Sequence, residues 1–195
     1  MDLKEFKIIE LSHFETKAIS YFNDEASKLL YLDSPAISVF RDFKEHKALT
    51  VSGDASLQEV KQKLFDHHKD FILVINSDNQ VTGTIGLHYL ESTALQKTAQ
   101  ETGAKITELA ADDIKLRISE VNTIPYSLIK DTKIGHILNT LINSSYHHIV
   151  VYEEDTKGEK SIRGYFSFSH IRRKLGLEVY HAYQKDGVAN ISKGI

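Results

Sequence analysis

The sequence predicts a mixed α+β fold made of two copies of one βαββα unit, and three observations predict it. Two stretches align at an offset of 77 residues, TVSGDASLQEVKQKLFDHHKDFILVI (50–75) over SLIKDTKIGHILNTLINSSYHHIVVY (127–152). Asp54 lies over Asp131, Leu57 over Ile134, Val60 over Ile137, Leu64 over Leu141 and Val74 over Val151. Extra residues in the turn EEDTKGEK (153–160) then move the offset to 81, so that Gly83 meets Gly164, Gly86 meets Ser167, Tyr89 meets His170 and Leu90 meets Ile171. Finally, the residue classes run in one order in both copies. Self-similarity at a fixed spacing marks a repeated supersecondary unit that buries its apolar face against its twin.

The elements follow in chain order. Leu11, Phe14, Ala18, Phe22, Ala26 and Leu29 keep helical spacing, and Ser12 with Glu15 forms a capping-box pattern at their start. In SPAISVF (34–40), Ser34 reads as an N-cap and Pro35 as the first helical residue, the position proline favours. Thr50 and Ser127 head the two aligned stretches. Asp54 and Asp131 precede apolar residues spaced three and four apart, as N-caps precede amphipathic helices. FILVI (71–75) and HIVVY (148–152) are short runs rich in β-branched residues, suited to buried strands. NSDNQ (76–80) and EEDTKGEK are polar turns, and VTGTI (81–85) and IRGYF (162–166) are the paired strands after them. A last helix begins near Leu87 in one copy and near Phe168 in the other. These readings divide the chain into an N-terminal helical extension (1–33), a first repeat (34–91), a polar connector (92–117), a second repeat (118–177) and a tail (178–195).

Composition narrows the function. The chain has 195 residues, 41% of them hydrophobic and 26% charged, as in an ordinary soluble globular protein. With no cysteine it has no disulfide, no thiolate nucleophile and no sulfur-bound metal, which suits a reducing compartment and a cytoplasmic location. Its 24 basic and 27 acidic residues give a net charge of −3, no field for holding a nucleic acid backbone. The apolar runs are too short to cross a bilayer, so no membrane partner is expected.

Several catalytic patterns fail. The pairs His67–His68 and His147–His148 are adjacent, and neighbours on a strand or helix diverge, so neither pair chelates a metal. There is no G-x-S-x-G elbow, and nothing in the sequence orients a base beside Ser144, Ser145, Tyr146 or His147. GTIG (83–86) lacks the spacing of a dinucleotide loop, and Asp112 and Asp113 read as a solvated face. An enzyme is not expected.

What remains is an apolar start, a capped helix, an apolar strand, a turn, and a glycine followed three residues later by a helix-capping position. This pattern over residues 34–177 resembles the tandem cystathionine-β-synthase (CBS) domain pair. SPAISVFRDF and GYFSFSHIRRKLG look like those of stand-alone bacterial members with no attached enzyme. The resemblance implies two repeats related by a pseudo-twofold axis, with clefts between their sheets. It also implies an adenosine ligand of the AMP, ATP or S-adenosylmethionine class, homodimers, and regulation of a partner protein without chemistry of its own. In the family a Thr or Ser caps the last helix, and an Asp three residues on accepts hydrogen bonds from both ribose hydroxyls. Here the second repeat keeps Gly164 and Ser167 but carries His170 in place of the Asp. A neutral imidazole has a single acceptor, so it cannot reproduce a two-acceptor clamp. The first repeat reads Gly83, Gly86 and Tyr89, without hydroxyl or carboxylate at the two key positions. The candidate ligand-binding residues are therefore Gly164, Phe166, Ser167, His170 and Ser127 in the second repeat, and Gly83, Gly86, Tyr89 and Thr50 in the first. Two readings follow: an adenosine ligand held near Ser167, with Phe166 or Tyr89 stacking on the base, or a ligand-free interaction scaffold in which Ser167 only caps a helix and His170 is a first-turn surface residue.

Overall fold

A computed structural model describes residues 30–144 and 147–176. The helix expected over 11–29 and the tail from 178 lie outside the described residues. The first repeat contains β2 (Thr50–Ser52), α1 (Leu57–Asp66), β3 (Phe71–Ile75), β4 (Val81–Gly86) and α2 (Leu87–Leu90). The second contains β6 (Thr123–Pro125), α5 (Ile134–Asn143), β7 (His148–Glu154), β8 (Lys160–Ser167) and α6 (Phe168–Lys174). Between them run α3 (Ala94–Thr102), α4 (Ala111–Ile114) and β5 (Leu116–Arg117), and ahead of them β1 (Arg41–Asp42). The repeated βαββα unit is as expected, and the fold is mixed α+β.

Each repeat builds a four-stranded sheet, ordered β2-β3-β4-β5 and β1-β8-β7-β6. In both, the first strand pairs in parallel with the second, across the helix, and the hairpin that follows is antiparallel. The fourth strand crosses over in sequence: β1, which precedes β2 within the stretch read as the first repeat (34–91), pairs with β8, and β5 pairs with β4. Glycine makes these edges possible. A Cβ on Gly83 would lie 2.5 Å from the Leu116 carbonyl oxygen, and one on Gly164 would collide with the Arg41 carbonyl and the Phe40 ring.

Strand register corrects one part of the alignment. Thr50 pairs with Leu73, and Thr123 pairs with Val150, the residue matching Leu73, so the partner of Thr50 is Thr123 and not Ser127. Four residues separate β2 from α1, but eight separate β6 from α5. The 3-10 helix Tyr126–Asp131 takes up the difference, and Ser127 sits exposed on it. The helix caps also move. Ser56, not Asp54, caps α1 by accepting from Glu59 N at 3.2 Å, and α5 begins after Lys133 with no side-chain cap of its backbone amides, Asp131 having ended the 3-10 helix. Pro35 occupies the cap position of a 3-10 turn at Ala36–Val39, one residue earlier than expected, and Ser34 Oγ instead accepts from Tyr31 N.

Packing follows the apolar periodicity. Leu57, Val60 and Leu64 of α1 face β3 and β4 through Ile72, Val74 and Ile85. Ile134, Ile137 and Leu141 of α5 face Ile149, Val151 and Phe166. Each such side chain contributes roughly 1.5–3 kcal/mol when fully buried. A third cluster, Phe71, Leu73, Val150 and Tyr165, joins the opposite sheet faces and so joins the repeats. Arg163 fastens β1 to β8. It donates from Nε and Nη2 to the two carboxylate oxygens of Asp42, at 2.7 Å each, and from Nη1 to Glu153 at 2.9 Å. The guanidinium holds the Asp42 carboxyl below its usual range against the cost of burial. Among the described residues no helix is long and apolar enough to cross a membrane.

Candidate functional site

The repeat places two related clefts between the sheets, and the structure treats them differently. The first, beside Gly86 and Tyr89, is a cavity of about 620 Å³, within the ~300–1,000 Å³ typical of small-molecule sites. The second, beside Tyr165 and Arg41, retains about 10 Å³. Register identifies the cause. Thr84 faces Leu73 across the first hairpin, and Tyr165 faces Val150 across the second, so the two occupy the same position in their repeats. A small side chain leaves the first cleft open, and a large ring fills the second.

Tyr165 is 4% exposed and stacks on Phe71, with centroids 4.4 Å apart and 27° between planes. Burial, reinforced by the charge of Asp70, keeps its phenol protonated well above the usual range. Arg41 closes the remainder, its Nη2 lying 2.9 Å from His170 Nδ1. Arginine only donates, so Nδ1 accepts and His170 carries its proton on Nε2. His170 is 8% exposed, not the surface residue of the scaffold reading. Burial first, then Arg41, Arg173 and Lys174, lowers its pKa to about 4, so it is neutral near neutral pH.

Ser167 caps α6 as the sequence suggests, accepting from His170 N at 3.2 Å. It does not face an open cleft. Its side chain is fully buried, and its hydroxyl and that of Ser169 both donate to Asp70 of the other repeat. Burial opposes ionisation of Asp70, but His148, Ser167 and Ser169 outweigh it and hold the carboxyl far below the usual range. Phe166, expected to stack on a base, is fully buried in the second core against Phe40, at 5.2 Å between centroids. Gly164 packs under β1, and neither Thr50 nor Ser127 lines either cleft.

Of the residues marked in the sequence, the open cleft gathers Gly86 and Tyr89. Tyr89 Oη lies 2.6 Å from Thr98 Oγ1, which aims the ring along the wall. Gly86 leaves room for His148, whose Cε1 would lie 3.0 Å from a Cβ there. The cleft also recruits residues not marked beforehand: Thr84, His88, Asn122, His147 and His148. The rings of His88 and His147 stand 3.8 Å apart, and burial, with the neighbouring histidines, lowers the His147 pKa to about 4. Thr84 is 5% exposed and its hydroxyl makes no hydrogen bond among the described residues. The signal for Thr84 lay in the alignment itself, which pairs it with Tyr165 at the offset of 81. No group of three or more potential metal ligands occurs among the described residues.

No protein-family model matches the sequence. No curated protein matches it either. Solved structures do. An uncharacterized conserved protein from Pyrococcus horikoshii superposes with a TM-score of 0.52 at 18% identity, covering 82% of this chain and all of that one. A CBS-domain-containing protein from Agrobacterium tumefaciens (TM-score 0.49, 15% identity) covers 70% of this chain and 93% of its own. The Arabidopsis thaliana CBS-pair protein CBSX2 (TM-score 0.46, 11% identity) covers 72% and 92%. The fold is that of a tandem CBS-domain pair. The two positions where the resemblance implies a ribose-binding carboxylate, Tyr89 and His170, carry none and have side-chain partners of their own, Thr98 and Arg41.

Proposed function

We propose that the chain is a non-catalytic regulatory module that takes an adenosine-type ligand in the first cleft and signals by a shift between arrangements of the two repeats. The observation that carries this reading is the cavity of about 620 Å³ left open by Thr84 and walled by aromatic side chains. Aromatic faces stack on a planar base, and the unpartnered Thr84 hydroxyl offers a donor and an acceptor to it. The binding place thus moves from Ser167 to the pseudo-symmetric cleft. Signalling then needs the ligand to contact one arrangement of the repeats better than another. We further propose a cytoplasmic homodimer acting on a partner protein. A second reading, the ligand-free scaffold, is favoured by the self-filled second cleft and the missing carboxylates.

A thermal-shift panel decides between them, with adenosine, AMP, ATP and S-adenosylmethionine against the native chain and Thr84→Tyr. AMP belongs in the panel also because CBSX2 has been solved in complex with it. A ligand at a hundred times its dissociation constant stabilises by about 2.7 kcal/mol, a clear rise in melting temperature. A rise that Thr84→Tyr abolishes supports the module. The absence of any rise hands the protein to the scaffold reading.

A further inference from the structure

The first cleft has ample room for a ligand, but its charges are spent. Two side chains of formal charge line it, apart from its histidines: Lys115 and Asp113. Lys115 Nζ donates to Asp112 at 2.5 Å and to Thr82 Oγ1 at 2.9 Å, and its side chain is 15% exposed, so its charge is answered inside the protein. Asp113 accepts from Ala110 N at 2.9 Å and remains a negative charge on the cleft wall. The helix that starts at the cleft, α2, has four residues and no side-chain cap, too short to gather a helix dipole for an anion. His147, on the same wall, has a pKa of about 4 and is neutral near neutral pH.

The polar groups left for a ligand are neutral. The Thr84 hydroxyl and the Asn122 side chain at the rim make no hydrogen bond among the described residues, whereas His148 Nε2 is buried toward Asp70, 3.8 Å away. A phosphate entering such a place loses its water and finds an opposing carboxylate, whereas a base or ribose finds rings and uncharged donors and acceptors. We infer that the first cleft takes an uncharged nucleoside or nucleobase and discriminates against nucleotide phosphates. This rests on reading the cleft as a nucleoside site.

Calorimetry on the full chain near neutral pH tests it, with adenosine, AMP and ATP as probes. Adenosine binds, and AMP and ATP bind about tenfold more weakly or worse, in keeping with the cost of desolvating an unpaired charge. Asn122→Lys, at an exposed rim position, adds the missing cation without disturbing the core and raises the affinity for AMP relative to adenosine. AMP or ATP binding as tightly as adenosine to the native chain overturns the inference and leaves the nucleoside site standing. A preference that Asn122→Lys does not move overturns the charge argument in the same way. If none of the three binds, the nucleoside reading itself falls and this inference with it.

Discussion

Replacing Tyr165 by threonine makes the second cleft resemble the first, and the cost can be worked from the packing. The ring is 4% exposed, stacks on Phe71 at 4.4 Å and lies 5.8 Å from Phe43 and 6.0 Å from His148. Aromatic-to-alanine truncations in cores cost about 3–5 kcal/mol. Threonine retains a methyl and a hydroxyl, and the new space opens beside the partly exposed Arg41, so part of it hydrates; about 3 kcal/mol is expected. For a chain of this size each kcal/mol moves the melting temperature by about 2–4 °C, so a fall of about 6–12 °C follows. Urea denaturation followed by circular dichroism measures it directly, with Tyr165→Phe as control. The phenol hydroxyl makes no hydrogen bond among the described residues, so the control costs under about 1 kcal/mol. A loss below about 1 kcal/mol for Tyr165→Thr, the size of a surface change, would refute the claim that this ring plugs the cleft.

Two further predictions concern stability. Asp42→Ala leaves Arg163, 12% exposed, with Glu153 and the Tyr126 ring, whose centroid lies 4.4 Å from the guanidinium; breaking a buried pair costs about 3–5 kcal/mol, and the surviving partners bring the expected loss to about 2–3 kcal/mol in urea denaturation. A loss near zero would mean that β1 is not held by this pair. The second is a loss of stability between about pH 6.5 and pH 4. His147 and His170 have folded pKa values of about 4, lowered from 6.5, so below the unfolded value the unfolded chain takes up protons that the folded chain refuses. Stability is therefore full above about pH 6.5 and falls by about 1–2 kcal/mol per histidine by pH 5, with half-buried His147 at the lower end. The depressed carboxyls of Asp42 and Asp70 add little above about pH 5 and steepen the fall below it, where the unfolded chain's carboxyls begin to protonate. A urea midpoint that is flat or higher at pH 5 than at pH 7 would contradict this.

How much was legible in the sequence depended on whether the controlling interaction was local. The helix faces, the hairpins and the Ser167 and Gly86 cap positions follow from periodicity and nearest neighbours, and the structure agrees at each. Caps placed by pattern slipped by two residues at Asp54, because Ser56 offers an equal cap next to the first apolar residue, Leu57. Ser127 was misaligned because an insertion hid before α5, where no identity marked it. The site was harder. Whether Ser167 faces a ligand depends on Asp70, 97 residues away, which takes its hydroxyl. Whether His170 is exposed depends on Arg41, 129 residues away, in a strand contributed from outside its repeat. Pairings of that kind are set by sheet topology, which the residue classes of one repeat do not carry.

The two clefts share backbone register, a glycine under each edge strand and a short last helix, yet one is open and one is closed. Duplicate units with identical frames would give a symmetric pair of sites, so the asymmetry has to come from side chains, and Thr84 against Tyr165 is the exchange that changes the volume. The consequence extends beyond occupancy. Phe71 lines the open cleft and is at the same time the face on which Tyr165 stacks, so the occupant of the closed cleft packs directly behind a wall of the open one. A ligand that presses on Phe71 presses on the cluster that joins the sheets, and cores packed at crystal density pass on such a displacement instead of absorbing it. A second ligand in the Tyr165 position would have to be bound, held and released for the module to respond; a covalently attached ring is always present. On the proposed reading, one open site and one permanent occupant make a module governed by a single ligand, with the repeat interface as the element that ligand biases.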